Sequence, residues 1–196
     1  MSDQGSTGSS GRAPSLSSDS GLKTPCLLVA SPQMADPFFE RTVVLLWHHD
    51  QDGAAGLVIN RPMPHTISEV IEEAEDYAAA EIIWGGPVEK NRGTVITPNE
   101  VSSDSGWYLG HGISVSTSMT TLMDLLDAHA PLLLCLGYAG WGSGQLAKEI
   151  DAGSWLFADP TLDILFDTPR EALYEVALAS IGLSPETVWM TTPADA

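Results

Sequence analysis

The chain has 196 residues, of which 43% are hydrophobic and 17% charged, a composition ordinary for a globular protein with one well-covered core. Lys and Arg number 8 against 26 Asp and Glu, so the formal net charge is −18. Because nucleic acids and anionic membranes are polyanions, this excess of acidic residues argues against unaided binding to either. We expect no direct nucleic-acid binding and no membrane association.

The cysteines and the apolar runs indicate the cellular compartment of the protein. Cys26 and Cys135 each lie in an apolar stretch, where a thiol behaves as a small hydrophobe, and two cysteines make no disulfide framework. No uncharged apolar run reaches the roughly 20 residues of a membrane span. The start of the chain also lacks the basic residues and apolar run of a signal peptide. These features predict a cytoplasmic protein.

A change of composition near residue 25 predicts the domain organisation. Residues 1–24 are rich in Ser and Gly, with too few large hydrophobic side chains to offset the entropy of ordering, and we expect a disordered leader. Apolar runs begin at Cys26 and recur along the rest of the chain. We therefore predict a single domain over residues 25–190.

Most of the chain after the leader is predicted to form β-strands. Eight apolar or β-branched runs carry this prediction. They span residues 26–30, 42–49, 54–60, 81–84, 92–98, 106–110, 113–118 and 131–136. The turn DQDG between the second and third runs predicts a hairpin. Two further apolar runs, 154–158 and 162–166, flank a turn at Asp159 and Pro160.

Capping signals predict the helices. Thr66 with Glu69 three positions on makes a capping box before a helical apolar spacing that runs to about residue 80. Ser118 is predicted to cap a second helix. A third is predicted to begin at Thr168, with a proline and an acid in its first turn, and to end at Gly182.

The stretch 131–150 combines a buried strand, a glycine-rich loop and a short helix that begins at Gln145. The glycines are residues 137, 140, 142 and 144. Amide N–H groups converge in many loops of this kind, which therefore bind anions. The spacing misses the dinucleotide fingerprint, and Ser143 lacks the flanking glycines of a nucleophile elbow. We interpret these glycines mainly as close backbone packing beneath Tyr138 and Trp141.

A Gly-Gly-Pro segment and a His/Asp group are two further candidate sites, and each also has a purely structural interpretation. Gly85 and Gly86 precede a proline with no turn-polar residue between them, which indicates close backbone contact rather than an exposed tip. His48, His49, Asp50 and Asp52 form the densest group of potential metal ligands. Adjacent side chains of a strand point to opposite faces, so we interpret that group as a surface hairpin end. We predict no metal and no cofactor.

Polar side chains lie at the ends of neighbouring predicted strands. Asp36 and Arg41 flank the segment PFFE just before the second strand, and Asn60 with Arg61 follows the third. Groups at strand ends converge more easily than groups in mid-strand. The guanidinium groups could hold an anion, or they could tie loops to buried carbonyls or to Asp36. Both interpretations stay open at this point.

Several separated motifs, taken in order, resemble the YqgE/AlgH family of bacterial proteins. They are SPQMADPFFERTVVLL, GAAGLVINRP, WGGPVEKNRGTVITP, LGYAGWGSGQLAKEI and SWLFADPTLDILFDTP, within residues 27–183. The resemblance implies an α+β fold in which a mixed, bifurcated β-sheet curls into a pseudo-barrel with helices packed outside. Most members of that family are uncharacterised, and the transcriptional-regulator label that some carry implies no recognised DNA-binding element.

The resemblance also marks candidate residues for binding a ligand or a partner. They are Asp36, Arg41, Asn60, Arg61, Gly85, Gly86, Gly137, Tyr138, Trp141 and Gln145. It implies no catalytic residue. Cys135 stands where the family usually has a small apolar residue, which argues against a family-wide redox role for this thiol.

Two hypotheses about function follow. The first is a non-enzymatic regulatory or adaptor protein that binds a partner protein or a small ligand where the Gly-Gly-Pro turn meets the glycine-rich loop, with any effect on transcription indirect. The second is an enzyme or binding protein that acts on a small anionic metabolite, phosphorylated or carboxylated, through loop amides and Arg41 or Arg61.

Overall fold

The computed structural model describes residues 22–71, 74 and 81–184. The strands in these ranges are β1 (Cys26–Ala30), β2 (Val43–Asp50), β3 (Gly53–Val58), β4 (Ile82–Trp84), β5 (Val88–Thr97), β6 (Gly106–Gly110), β7 (Ile113–Ser116), β8 (Leu133–Gly142) and β9 (Trp155–Ala158). The helices are α1 (Ile67–Val70), α2 (Met119–Asp127), α3 (Gln145–Asp151) and α4 (Leu173–Ser180). A π-helical segment spans Asp163–Asp167.

All nine strands belong to one branched sheet. Their order is β6-β7-β5-β8-β3-β2-β1-β9, with β4 beside β8 off this path. Every pair is antiparallel except β4 with β8, which is parallel. The sheet curls so that the helices lie outside it. The α+β class with a bifurcated sheet forming a pseudo-barrel, implied by the family resemblance, is therefore confirmed.

Strand β8 is the point at which the sheet branches. Its residues Leu134 to Leu136 pair with β4 on one side and with β5 on the other. Beyond Gly137 the place of β4 is taken by β3, with Ala139 opposite Gly56 and Gly142 opposite Gly53. One strand therefore changes its neighbour in the middle of its length.

The main core lies between the curled sheet and α4. Strands β1 and β2 each carry four consecutive side chains with no exposed surface, as their continuous apolar sequences predict for strands covered on both faces. Helix α4 packs on β1, β2 and β9 through buried Leu173, Tyr174, Ala177 and Leu178. A smaller core joins Ile67 of α1 and three leucines of α2 to β8.

Local signals in the sequence account for several element ends. The N–H of Thr66 donates to Glu69 Oε2 at 2.8 Å, so the predicted capping box is present. Ser118 Oγ accepts from the N–H of Thr121 at 3.3 Å at the start of α2. Asp50 Oδ1 accepts the N–H groups of residues 52 and 53, which closes the predicted hairpin and lowers the pKa of Asp50.

Several predicted boundaries were wrong, and two of them have a clear physical cause. The strand expected to end at residue 136 continues to Gly142, because Gly140 and Gly142 sit in strand positions paired with β3 rather than in a loop. The last helix begins at Leu173 rather than at Thr168, because the Thr168 hydroxyl donates to the carbonyl of Asp163 at 3.0 Å across the π-helical segment.

Other predictions lie partly outside the described residues. The helix expected to run from residue 66 to about 80 ends at Val70, where Ile71 takes an extended backbone conformation with φ −129° and ψ 110°. Of residues 72–80, the structure describes only residue 74. Residues 1–21 of the predicted leader and 185–190 of the predicted domain are also outside the described ranges. No helix within these ranges is long and apolar enough to cross a membrane.

Backbone contacts between glycines hold the branch together. A Cβ built on Gly86 would lie 2.1 Å from the carbonyl carbon of Tyr138, and one on Gly85 would lie 2.3 Å from the carbonyl oxygen of Gly137. Gly137 has a φ of 74°, and a Cβ there would lie 2.4 Å from the carbonyl oxygen of Gly86. The two segments therefore touch backbone to backbone, where no side chain fits.

This contact makes Gly137→Ala strongly destabilising. Gly144→Ala is the matched control, because Gly144 has a similar φ of 68° but nothing within 4 Å of an added Cβ. An alanine in the left-handed backbone conformation should lower the control's free energy of unfolding by about 1–2 kcal/mol. We expect Gly137→Ala to lower the free energy of unfolding by about 4 kcal/mol or more, since backbone must move as well. Urea unfolding measures both, and equal losses would contradict the packing described.

Candidate functional site

The start of β2 and the end of β3 lie side by side, and Asn60 connects them. Val44 pairs with Val58 in the antiparallel register, so residues just before β2 meet residues just after β3. Asn60 Oδ1 accepts the N–H of Val43 at 2.9 Å, and Asn60 Nδ2 donates to the carbonyl of Arg41 at 2.9 Å. The amide thus anchors the loop that enters β2.

Arg41 holds a left-handed backbone conformation, with a φ of 54°. That conformation costs a residue other than glycine roughly 1–3 kcal/mol, and the hydrogen bond from Asn60 helps to maintain it. The guanidinium forms an ion pair with Glu175 and lies 4.7 Å from the ring centroid of Tyr174. Burial raises the pKa of Tyr174, whose hydroxyl donates to the carbonyl of Ala30 at 2.8 Å.

Arg61 and Asp36 shape the same loop from its two sides. Arg61 Nη2 donates to the carbonyl of Glu40 at 2.6 Å, which is the loop-tying role weighed above. Asp36 Oδ1 accepts the N–H of Phe38 at 2.8 Å and starts the turn. No carboxylate of the described residues forms an ion pair with Arg61, so its charge is not matched there.

Arg170 belongs to this region although it is not among the residues predicted from the sequence. It is only 6% exposed, and its Nε donates to Glu81 Oε2 at 2.9 Å. Its Nη1 is buried and has no hydrogen-bond partner among the described residues. Because Nη1 is enclosed by protein, a ligand in solvent would meet the positive charge of this guanidinium rather than a hydrogen bond from that nitrogen.

These side chains line one open cavity of about 390 Å³, which we call the arginine groove. Its lining residues are Pro37, Glu40, Arg41, Asn60, Arg61, Arg170, Glu171 and Tyr174. Three of the five arginines of this acidic chain are among them. The structure therefore brings together Arg41, Asn60 and Arg61 of the predicted site, with Asp36 at the start of the adjoining loop.

Trp141 and Gln145 belong to a second group, built around Glu149. The indole N–H groups of Trp141 and Trp155 both donate to Glu149 Oε2 at 2.8 Å, and Gln145 Nε2 donates to its Oε1 at 2.9 Å. The two indole rings lie 5.9 Å apart, and Phe39 packs on both. We call Phe39, Trp141 and Trp155 the indole cluster. Glu149 is a further residue that the sequence did not indicate.

The predicted glycines and Tyr138 form a third group, the branch of the sheet, and do not line the arginine groove. Gly85 connects the branch to β3, because its carbonyl accepts the N–H of Val58 at 2.9 Å. The carbonyl of Arg61 accepts the N–H of Trp84 at 2.8 Å. The branch thus positions the backbone that carries Arg61. The three groups are linked, but of the three only the arginine groove has positively charged side chains in its lining.

The cysteines and histidines add no reactive centre to this picture. Burial raises the pKa of Cys26 and of Cys135 to about 12, so both thiols stay protonated at neutral pH. His48 Nε2 lies 3.1 Å from Asp50 Oδ2 at the predicted hairpin end. Within residues 22–71, 74 and 81–184, no group of three or more His, Cys, Asp or Glu side chains could hold a metal ion.

Replacing Glu149 tests the indole cluster. Glu149→Ala leaves two indole N–H groups without their acceptor, and each unsatisfied buried donor costs about 1–3 kcal/mol. We expect a loss of about 2–4 kcal/mol in the free energy of unfolding, with a changed tryptophan fluorescence spectrum. Lys148→Ala, an exposed change in the same helix, is the control and should stay within about 0.5 kcal/mol of the parent. Equal stability of the two variants would refute this role of Glu149.

Comparison with known proteins extends over nearly the whole described chain. The AlgH-like family model matches residues 27–186. A UPF0301 protein of Pseudoalteromonas translucida is 38% identical over 81% of this chain and 94% of its own length. A UPF0301 protein of Photobacterium profundum is 35% identical, over 81% of this chain and 91% of its own length.

Two solved structures share the fold. The solution structure of the AlgH protein of Pseudomonas aeruginosa superposes with a TM-score of 0.70 at 36% identity, over 87% of this chain and 94% of that one. The crystal structure of protein DIP2367 of Corynebacterium diphtheriae gives a TM-score of 0.64 at 23% identity, over 79% of this chain and 84% of that one. At this identity the likeness concerns only the fold. On the family match and these identities together, the chain belongs to the AlgH-like family, as its motifs indicated.

Proposed function

We propose that this protein is a non-enzymatic binding protein, regulatory or adaptor in role, that recognises an anionic group in the arginine groove. The group is carried by a small molecule or by a partner protein. One observation carries the proposal: a chain with a net charge of −18 places three of its five arginines around a single cavity of about 390 Å³. Arginine is well suited to binding carboxylate and phosphate oxygens because its donors form a planar fork.

The pairing of these arginines supports a binding role beyond that of tying loops. Arg41 is matched by Glu175, and Arg170 by Glu81. Arg61 has only a backbone carbonyl as its described partner, so it keeps a charge and several donors for a ligand. Arg170 adds a largely buried positive charge to the lining. An anionic group in the groove would bind the free donors of Arg61 and meet the charge of Arg170.

The lining of the groove favours binding over chemistry. Apart from glutamate, the residue types that most often serve as nucleophile or general base are His, Cys, Ser, Lys and Asp. The lining contains none of these five. Glu40 and Glu171 are exposed to solvent, whereas the acids and bases of closed active sites are shielded from water. The protonated thiols of Cys26 and Cys135 also argue against cysteine catalysis.

The free cysteines and the net charge indicate where the protein acts and whether it binds nucleic acid. The unpaired cysteines fit a cytoplasmic protein, since thiols stay reduced in that compartment. A net charge of −18 opposes direct binding of DNA, so we propose that any influence on transcription passes through a ligand or a partner protein.

The proposal predicts a specific pattern of anion binding. Small carboxylates and phosphates, screened by thermal shift and then by calorimetry, should include compounds that raise the melting temperature saturably. Arg61→Ala should weaken their binding about 10-fold to 100-fold, since a hydrogen bond to a charged group contributes about 1.5–3 kcal/mol.

Arg92→Ala is the matched control, because Arg92 is exposed, pairs with Glu89 and lies outside the arginine groove. It should leave binding unchanged. Circular dichroism checks that each variant is folded, and Arg61→Lys, which keeps the charge but loses the fork, should bind at an intermediate strength. Equal weakening by Arg61→Ala and Arg92→Ala would show that binding depends on overall charge and not on the arginine groove.

A further inference from the structure

We propose that the ligand of the arginine groove is a small zwitterion of the amino-acid class, with a carboxylate and a cationic amine a few bonds apart. This inference rests on the proposed function and gives its ligand a chemical identity. It follows from the charges that surround the groove, from the buried guanidinium of Arg170 and from the size and openness of the cavity.

The charges of the groove are mixed. Two of its arginines are already paired with carboxylates, Arg41 with Glu175 and Arg170 with Glu81. Glu40 and Glu171 also line it, and both are exposed and without an ion pair among the described residues. When these carboxylates are counted together with Arg61, the region holds no excess of positive charge. A phosphate dianion would therefore face like charges that nothing offsets.

A zwitterion matches this distribution. Its carboxylate would lie beside Arg61 and Arg170, and its ammonium group would lie toward Glu40 and Glu171. Each charge of the ligand would meet an opposite charge, in contrast to a simple carboxylate, which leaves both glutamates without a partner. The strongly acidic character of the whole chain adds to this preference, since it disfavours any ligand with a net negative charge.

Arg170 indicates where the carboxylate lies. The side chain is 6% exposed, Glu81 accepts only from its Nε, and Nη1 has no described partner. Nη1 itself is enclosed by protein, so a carboxylate in the groove would meet the positive charge of this guanidinium rather than a hydrogen bond from Nη1. The ion pair with Glu81 holds the guanidinium plane in place before a ligand arrives, which lowers the entropy lost on binding.

The dimensions of the cavity set the size of the ligand. A volume of about 390 Å³ lies at the small end of the range of roughly 300–1,000 Å³ for ligand pockets. The wall at Glu40 and Glu171 is open to solvent, so a side chain of the ligand can extend outward. Free amino acids and short derivatives fit this space.

The experiment uses matched probes on the full chain. Each of the 20 common amino acids is screened by thermal shift, and the strongest is compared by calorimetry with its N-acetyl form, its carboxamide and inorganic phosphate. The N-acetyl form lacks the cation, and the carboxamide lacks the anion. We expect the free amino acid to bind at least about 10-fold more tightly than any of the three.

Variants separate the two ends of the ligand. The double variant Glu40→Gln/Glu171→Gln should weaken amino-acid binding about 10-fold or more. It should not weaken binding of the N-acetyl form, an anion that loses two like-charged neighbours, whereas Glu100→Gln, an exposed change outside the groove, should alter neither. Equal or tighter binding of phosphate or of the N-acetyl form would overturn the zwitterion and keep the proposed function. Absence of binding by every anionic probe would overturn both.

Discussion

The backbone contact between Gly85–Gly86 and Gly137–Tyr138 is the constraint on which the rest of the structure depends. Glycine is required on both sides, because an added Cβ would lie within 2.4 Å of backbone across the contact. The N–H of Gly85 donates to the carbonyl of Leu136 at 2.8 Å, and its carbonyl accepts from Val58. One residue thus joins three strands at the point where β8 exchanges β4 for β3.

The branch of the sheet fixes the position of the arginine groove. Strand β3 ends beside Gly85, and Arg61 is held there by the hydrogen bond between its carbonyl and the N–H of Trp84. Asn60, just after β3, donates to the carbonyl of Arg41, just before β2. The guanidinium of Arg41 lies against the ring of Tyr174 of α4. The lining of the groove therefore comes from the loop before β2, the segment after β3, the turn before α4 and Tyr174 of α4. Such fixed supports keep binding side chains in place before a ligand arrives.

Local patterns predict much of this fold, because strands, hairpin turns and capping boxes depend on neighbouring residues. The convergence of Arg41, Asn60 and Arg61 also follows from polar groups at adjacent strand ends. Arg170 and Glu149 do not follow: Arg170 pairs with a carboxylate 89 positions away, and Glu149 with indoles of two different strands. Glycines inside β8 suggest a loop by local rules, since only pairing with β3 makes them strand residues.

The most direct measurement of the central claim, that the arginine groove binds an anionic group, follows the side-chain Nε–Hε signals of the arginines by NMR. Assignment by single Arg→Lys variants would allow acetate and glycine to be titrated against the full chain at constant ionic strength. The structure predicts saturable shifts for Arg61 and Arg170, with Arg92 unmoved. Shifts of equal size at Arg92, or no saturable shift at Arg61 and Arg170, would contradict it.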